Sequence, residues 1–348
     1  MPKCYDLGDS MSEFYEIEPT LENYWRGIIL FGKNVASYKF ALAKSLYDMK
    51  LTTNDLVTLE ELSAPFSKHI CEHLLTSPKQ ATSQSSKFLN ACSEFNAGKI
   101  SHDDLITSTQ RLGFNNVIDA FHNVHGSEIG KRFFIDERKS NKGIRLTDNF
   151  FQLTEVSQFN NLINETEARW RLVEESWRLG ISRHTISVQY DDDLKLLFTD
   201  NKDRRITLTS CRDALNGYQK GKCFYCFSDI SLNGSADLLP DVDHFLPWSL
   251  SDNIENINGV WNLVLACKDC NRGESGKFAK VPSLDLLARL HKRNEYFINS
   301  HLPLRETLIL QTGKDEHSRK NFLQQQYNIA RSLMIVTWEP ESKADKVF

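Results

Sequence analysis

The chain has 348 residues, 40% of them apolar and 25% charged, the composition of a globular protein that can bury a sizeable core in roughly two or three domains. A formal net charge of −4 excludes a global basic field, so any contact with nucleic acid has to be a local basic groove. No apolar run reaches the roughly 18 to 20 residues of a membrane-spanning helix. The acidic, polar start of the chain lacks the basic and apolar stretches of a secretory signal, so a cytoplasmic protein is expected.

Residues 1–205 read as a mainly helical recognition or partner region with one or two hairpins. Over residues 22–50, Trp25, Ile28, Ile29, Phe31, Val35, Phe40, Leu42 and Leu46 recur near helical spacing, and Gly32-Lys33-Asn34 marks a break. Residues 58–77 predict a helix pair, or one helix kinked at Pro65. The serine-rich stretch 77–87 is linker-like. Residues 103–126 predict a short helix, a turn near Gly113 and another helix. The texture changes near residue 130, where residues 131–154 read as two strands around a turn at Ser140–Gly143. That stretch carries Lys131, Arg132, Arg138, Lys139, Lys142 and Arg145 beside Phe133 and Phe134. It is either a nucleic-acid contact or a hairpin with a charged turn. Residues 155–180 predict a helix with Trp170, Leu172, Val173 and Trp177 on a core-facing stripe, residues 185–199 a second hairpin, and residues 210–219 a short helix. After Pro282 the chain turns helical again, as a C-terminal extension over residues 282–348.

Between these regions, residues 206–281 hold the chemistry. Of the eight cysteines, Cys4, Cys71, Cys92 and Cys211 are scattered and read as buried or incidental thiols. A disulfide framework is not expected in a cytosolic chain. The remaining four form two pairs of identical spacing, Cys223/Cys226 and Cys267/Cys270. Each pair can aim two sulfurs at one ion, and four thiolates close a tetrahedral zinc site that leaves no position for substrate, so the zinc is structural. A redox role for one pair is the alternative reading.

The insert between the pairs contains Asp241, Asp243-His244 and Pro247, then Asn262 followed by Leu-Val-Leu-Ala-Cys267; just past the second pair come Asn271-Arg272-Gly273 and Lys277. In this order, interleaved with the cysteines, these motifs resemble the HNH endonuclease family. They are similar both to McrA-like restriction nucleases with zinc knuckles and to the HNH domain of CRISPR effector nucleases. The resemblance covers Cys223 to Lys277, less than a fifth of the chain. It implies a ββα-metal fold: one strand leading into Asp243-His244, a second over Trp261–Ala266, and a helix from near Cys270 that carries Asn271. It also implies that Asp243 and Asn271 are the ligands of one catalytic Mg2+ or Mn2+. A carboxylate and an amide oxygen suit such a hard ion. His244 is then the general base, with an imidazole pKa near working pH, and Asn262 positions the loop and the histidine. Arg272 and Lys277 are phosphate contacts or else solvated surface charge. Asp241 is an extra ligand or a strand-surface acid.

The expectation is an α+β protein: a mainly helical N-terminal region, a ββα-metal HNH module with a Cys4 zinc, and a helical tail. Its expected activity is metal-dependent hydrolysis of DNA phosphodiesters, with DNA as partner, and the resemblance implies a place beside other subunits of a bacterial restriction or anti-phage defence system. The alternative is a non-catalytic, zinc-stabilised nucleic-acid-binding subunit. An HNH enzyme directed at RNA is a third reading, for which the sequence offers no aromatic base-stacking motif.

Overall fold

The computed structural model describes residues 14–50, 54–83, 86–179, 188–191, 193–201, 204–233, 239–300, 304–341 and 344–348. The apolar pattern of residues 22–50 divides at Gly32-Lys33-Asn34. Helix α1 (Leu21–Phe31) is capped by Thr20, whose hydroxyl accepts from the Asn23 N–H, and α2 (Tyr38–Asp48) follows the break. Strand β1 (Leu56–Thr58) leads into α3 (Leu59–Thr76), opened by a reciprocal capping box between Thr58 and Glu61. α3 is a single helix with Pro65 inside it, not a helix pair. Proline there removes one backbone hydrogen bond; burial of Leu62, Phe66 and Ile70 along one face offsets the loss.

Helices α4 (Lys87–Asn96), α5 (His102–Ser108) and α6 (Val117–Ala120) follow, and the turn expected at Gly113 ends a π-helical turn, Thr109–Gly113. β2 (Asn123–Val124) and β3 (Ser127–Glu128) make a small antiparallel hairpin. The hairpin expected next is β4 (Phe134–Glu137) and β5 (Gly143–Leu146); β1 pairs with the other edge of β5, giving an antiparallel sheet of order β1-β5-β4. The end of that stretch is not strand but helix α7 (Asp148–Glu155). Its three arginines are paired, Arg132 with Glu128, Arg138 with Asp136 and Asp119, Arg145 with Glu137 and Asp55, while Lys131, Lys139 and Lys142 are exposed. Phe133 and Phe134 lie in the core, so the stretch offers no ring face for a base.

Helix α8 (Phe159–Leu179) is the axis of the N-terminal half, and its stripe of Trp170, Leu172, Val173 and Trp177 is buried. Arg26 of α1 pairs with Glu165 of α8 at 2.8 Å, both side chains buried. The expected second hairpin, β6 (Gln189–Asp191) and β7 (Leu196–Asn201), gains a third antiparallel strand, β8 (Arg204–Ser210). Helix α9 (Cys211–Asn216) follows, and its Asn216 also donates to Glu165, at 2.7 Å. Then come β9 (Asp241–His244), β10 (Leu263–Ala266) and α10 (Lys268–Arg272), the two strands and helix that the resemblance implies, except that Trp261 and Asn262 form a 3-10 turn (Val260–Asn262) ahead of β10 and the helix starts at Lys268.

Past them lie β11 (Val281–Pro282), α11 (Leu284–Asn299), α12 (Leu304–Thr312), α13 (Glu316–Leu333) and β12 (Thr337–Trp338). The last helix stops at Leu333, short of the pattern read as helical. The β-branched run Ile335-Val336-Thr337 goes extended, and β12 pairs in parallel with β11. The architecture is α+β with a helical C-terminal region. Cys71, Cys92 and Cys211 are buried thiols, as their isolation in sequence suggested, and Cys4 lies outside the described residues. Among the described residues no helix is long and apolar enough to cross a membrane.

Candidate metal centre and active site

The first cysteine pair sits in a tight turn after α9. Cys223 N donates to Ser228 O at 2.8 Å and Phe227 N to Cys223 O at 3.1 Å, with Phe227 at a positive φ of 60° closing the knuckle. The second pair brackets the entry to α10, where Cys267 is the N-cap. All four Sγ atoms lie within 4.8 Å of one another, and together they could hold a metal ion such as zinc. A tetrahedral centre with Zn–S bonds of ~2.3 Å has edges of about 3.8 Å; Cys226 Sγ and Cys267 Sγ stand 3.8 Å apart. Hydrogen bonding among the four sulfurs pulls the Cys226 thiol far down and Cys267 to about 6, while it pushes Cys223 and Cys270 up.

β9 and β10 are antiparallel, with His244 opposite Leu263 and Asp243 opposite Val264. The first knuckle is hydrogen-bonded to this pair, Phe224 N donating to Leu265 O at 2.9 Å, and Cys267 N points at Cys223 Sγ at 3.3 Å. Gln219 clamps β10 from the α9 side, exchanging two bonds with Leu265. Asp241 and Asp243 share one face of β9, since side chains alternate along a strand. Asp241, read from the sequence as an extra ligand or a strand-surface acid, has a side chain 19% exposed. It accepts from Asn271 Nδ2 at 3.0 Å and pairs with Arg272 at 3.1 Å, so it ties α10 to β9. With Nδ2 committed, Oδ1 is the end of Asn271 that could accept or ligate.

Asp243 is held by a tyrosine and a lysine. Tyr225, inside the first knuckle, donates its hydroxyl to Asp243 Oδ2 at 2.6 Å. The Lys277 ammonium lies 3.1 Å from Oδ2 and 3.2 Å from Oδ1, and it donates to His244 O at 2.8 Å. Only 1% of the Lys277 side chain is exposed, so the phosphate contact or solvated charge read from its position in sequence is corrected. It is a buried counter-ion. Arg272 is 58% exposed, on the surface beside Asp241. Burial, and next the Asp243 carboxylate, push the Tyr225 phenol well above its ordinary value, so it stays a donor.

His244 is anchored through Nε2, 2.8 Å from Asn258 Oδ1. An amide oxygen only accepts, so Nε2 is the donor in this bond, and in the neutral imidazole the lone pair then lies on Nδ1. The edge of the Tyr190 ring, from β6, lies against the imidazole with centroids 6.2 Å apart. Asn262 is fully buried and acts as a loop clamp: it accepts from Leu246 N at 2.8 Å and donates to Leu246 O and Ile257 O, both at 3.0 Å. It holds the exit of β9 against the segment that supplies Asn258.

The C-terminal region supports the site instead of trailing from it. Arg289 of α11 donates to the carbonyls of Phe224 and Tyr225 at 2.7 and 2.6 Å, and its guanidinium lies 4.0 Å from the Phe227 ring. Arg293, fully buried, donates to Leu263 O, and Asn294 to Trp261 O at 3.1 Å. Burial holds these arginines low, Arg289 at about 10 and Arg293 at about 9.

Tyr225, Asn258 and Arg289 carry no motif of their own and were not singled out in the sequence. Tyr225 is an interior residue of a knuckle, and the other two belong to segments whose role depends on what they pack against. No family model matches the chain, no curated protein is similar to it, and no solved structure matches its fold.

Proposed function

We propose that the chain is an HNH endonuclease that hydrolyses DNA phosphodiester bonds with one Mg2+ or Mn2+ and carries one structural zinc on its four cysteines. The observation that carries the reading is the convergence of Asp243, His244, Asn262 and Asn271 on one strand pair and helix bound to a four-cysteine cluster. The donors fit a hard divalent ion: a carboxylate oxygen of Asp243 and the Oδ1 of Asn271 would hold it. When bound, such an ion stabilises charge on the phosphate and on the leaving oxygen. His244 takes the proton of the attacking water at Nδ1, while Asn258 holds its Nε2–H. Asn262 keeps that ring in place through the loop it clamps. Tyr225 and Lys277 orient the Asp243 carboxylate. The partner is DNA, and the setting is a bacterial defence system whose further subunits would dock on the helical regions.

A second reading, a zinc-stabilised nucleic-acid-binding subunit without cleavage, draws on the Lys277 ammonium, which already compensates the Asp243 carboxylate. Incubation of supercoiled plasmid with purified protein, with and without Mg2+ or Mn2+, separates the two. Metal-dependent nicking by the wild type that is lost in His244→Ala supports the enzyme. Retarded plasmid with no cutting under either metal supports the binding subunit. RNA cut in place of DNA by the same variant-sensitive activity reassigns the substrate.

A further inference from the structure

A second site lies on elements that the nuclease reading does not use. A cavity of about 780 Å3 opens between the C-terminal end of α1, the β2–β3 hairpin, α8 and α12. Pockets that hold small ligands run roughly 300–1,000 Å3. Among the described residues its charged lining is Lys33, Lys39, Arg169 and Arg305 against one carboxylate, that of Glu306. Glu306 is engaged by Arg305 at 3.8 Å, which leaves the cavity strongly cationic in a protein whose net charge is negative.

Lys39 is the informative residue. It is buried, its ammonium donates to Asn123 O at 3.3 Å, and among the described residues it forms no ion pair. Burial lowers it to about 8. A buried ammonium normally has a carboxylate beside it; here its surroundings are a cavity. The backbone makes room for it: a Cβ on Gly32 would lie 2.3 Å from Lys39 Nζ. Arg169, also buried, donates to Leu30 O at 3.3 Å and to Ser300 O, which holds its charge rigidly in the wall. Trp177 contributes an indole to the same lining. Fixed cations suit phosphate oxygens, an indole suits a flat base, and the volume exceeds what a bare phosphate fills.

We propose that this cavity binds a nucleotide, with its phosphates met by Lys33, Lys39 and Arg305 and its base laid against Trp177. The proposal does not depend on cleavage, and its readout is binding.

The test is calorimetric titration of the full, zinc-loaded chain, without added Mg2+, with ATP, GTP, CTP, UTP, pyrophosphate and adenosine. At least one triphosphate is expected to bind roughly tenfold or more tighter than pyrophosphate or adenosine, the scale of losing one charged hydrogen bond. Lys39→Met and Arg305→Gln are each expected to weaken it by roughly tenfold or more, while His244→Ala binds as the wild type does. Arg305 is half-exposed at the rim, so its variant carries the test if Lys39→Met does not fold. The proposal is overturned if no triphosphate binds, if pyrophosphate binds as tightly as the best triphosphate, or if folded variants bind like the wild type.

Discussion

The Tyr225 hydroxyl donates to Asp243 Oδ2 at 2.6 Å, joining the interior of the first cysteine knuckle to the strand that carries the proposed metal ligand. Any disturbance of the cysteine cluster therefore reaches Asp243 through one side chain. Tyr225→Phe removes that donor and keeps the ring in its packing. Cleavage should fall by roughly tenfold, with a stability loss of about 1–2 kcal/mol. Bound zinc, measured by atomic emission, should stay at the wild-type level. Wild-type cleavage in the variant would mean that the bond does not orient the carboxylate.

Lys277 and Asp243 form a buried pair, and losing one partner leaves an uncompensated charge. Lys277→Met and Asp243→Asn should each destabilise the chain by roughly 3–5 kcal/mol. The double variant should recover a substantial part of that loss. Urea unfolding of the four proteins gives the coupling directly, and additive single effects would contradict a direct pair.

Replacing Cys270 with serine, or stripping metal with a strong chelator, should unfold the module around β9 and β10, because the free energy of metal binding to the clustered cysteines is part of the module's folding free energy. Zinc released to a chromophoric indicator should amount to one ion per chain. A metal-free chain with an unchanged melting temperature would refute the structural role.

The acid side of the stability profile should depend on His122. Burial, then the nearby Arg132, lower this imidazole from 6.5 to about 4, and its Nε2 accepts from Phe133 N at 3.0 Å. Its folded pKa lies below its unfolded one, so the unfolded chain binds more protons between the two values. Stability from this group is full above about pH 6.5 and is lost as pH falls toward 4. By pH 5 the loss should be about 2 kcal/mol. His122→Gln should be less stable at pH 7 but should lose correspondingly less on moving to pH 5. An identical pH dependence in both proteins would place the titration elsewhere.

Arg293 holds β10 from α11 and is fully buried, so Arg293→Met should destabilise the chain by roughly 1–3 kcal/mol, the scale of leaving a buried acceptor unsatisfied. It should also lower zinc retention in a chelator competition. Intact retention would mean that α11 packs on the module without supporting it.

Much of the site was legible in short segments. Two cysteines three residues apart can aim both sulfurs at one ion, and the HNH resemblance of Asp243-His244, Asn262 and Asn271 implies two strands and a helix, which are present as β9, β10 and α10. Helical spacing and a Gly-Lys-Asn break divided α1 from α2 for equally local reasons. Long-range partners were not legible. β1 joins β5 from far upstream, and β12 reaches back to β11, because strand pairing depends on three-dimensional neighbours and not on spacing along the chain. Lys277 shows the limit most clearly. Its place beyond the start of the helix suggested a phosphate contact or a surface charge, yet the chain folds back there, Lys277 N donating to Cys270 O at 2.7 Å, and sends the ammonium inward to Asp243. The sequence by itself determined which residues could carry the chemistry. Only the tertiary structure decided which of them are partnered, buried or exposed, because burial and charge pairing are set by what packs against a residue and not by its neighbours in the chain.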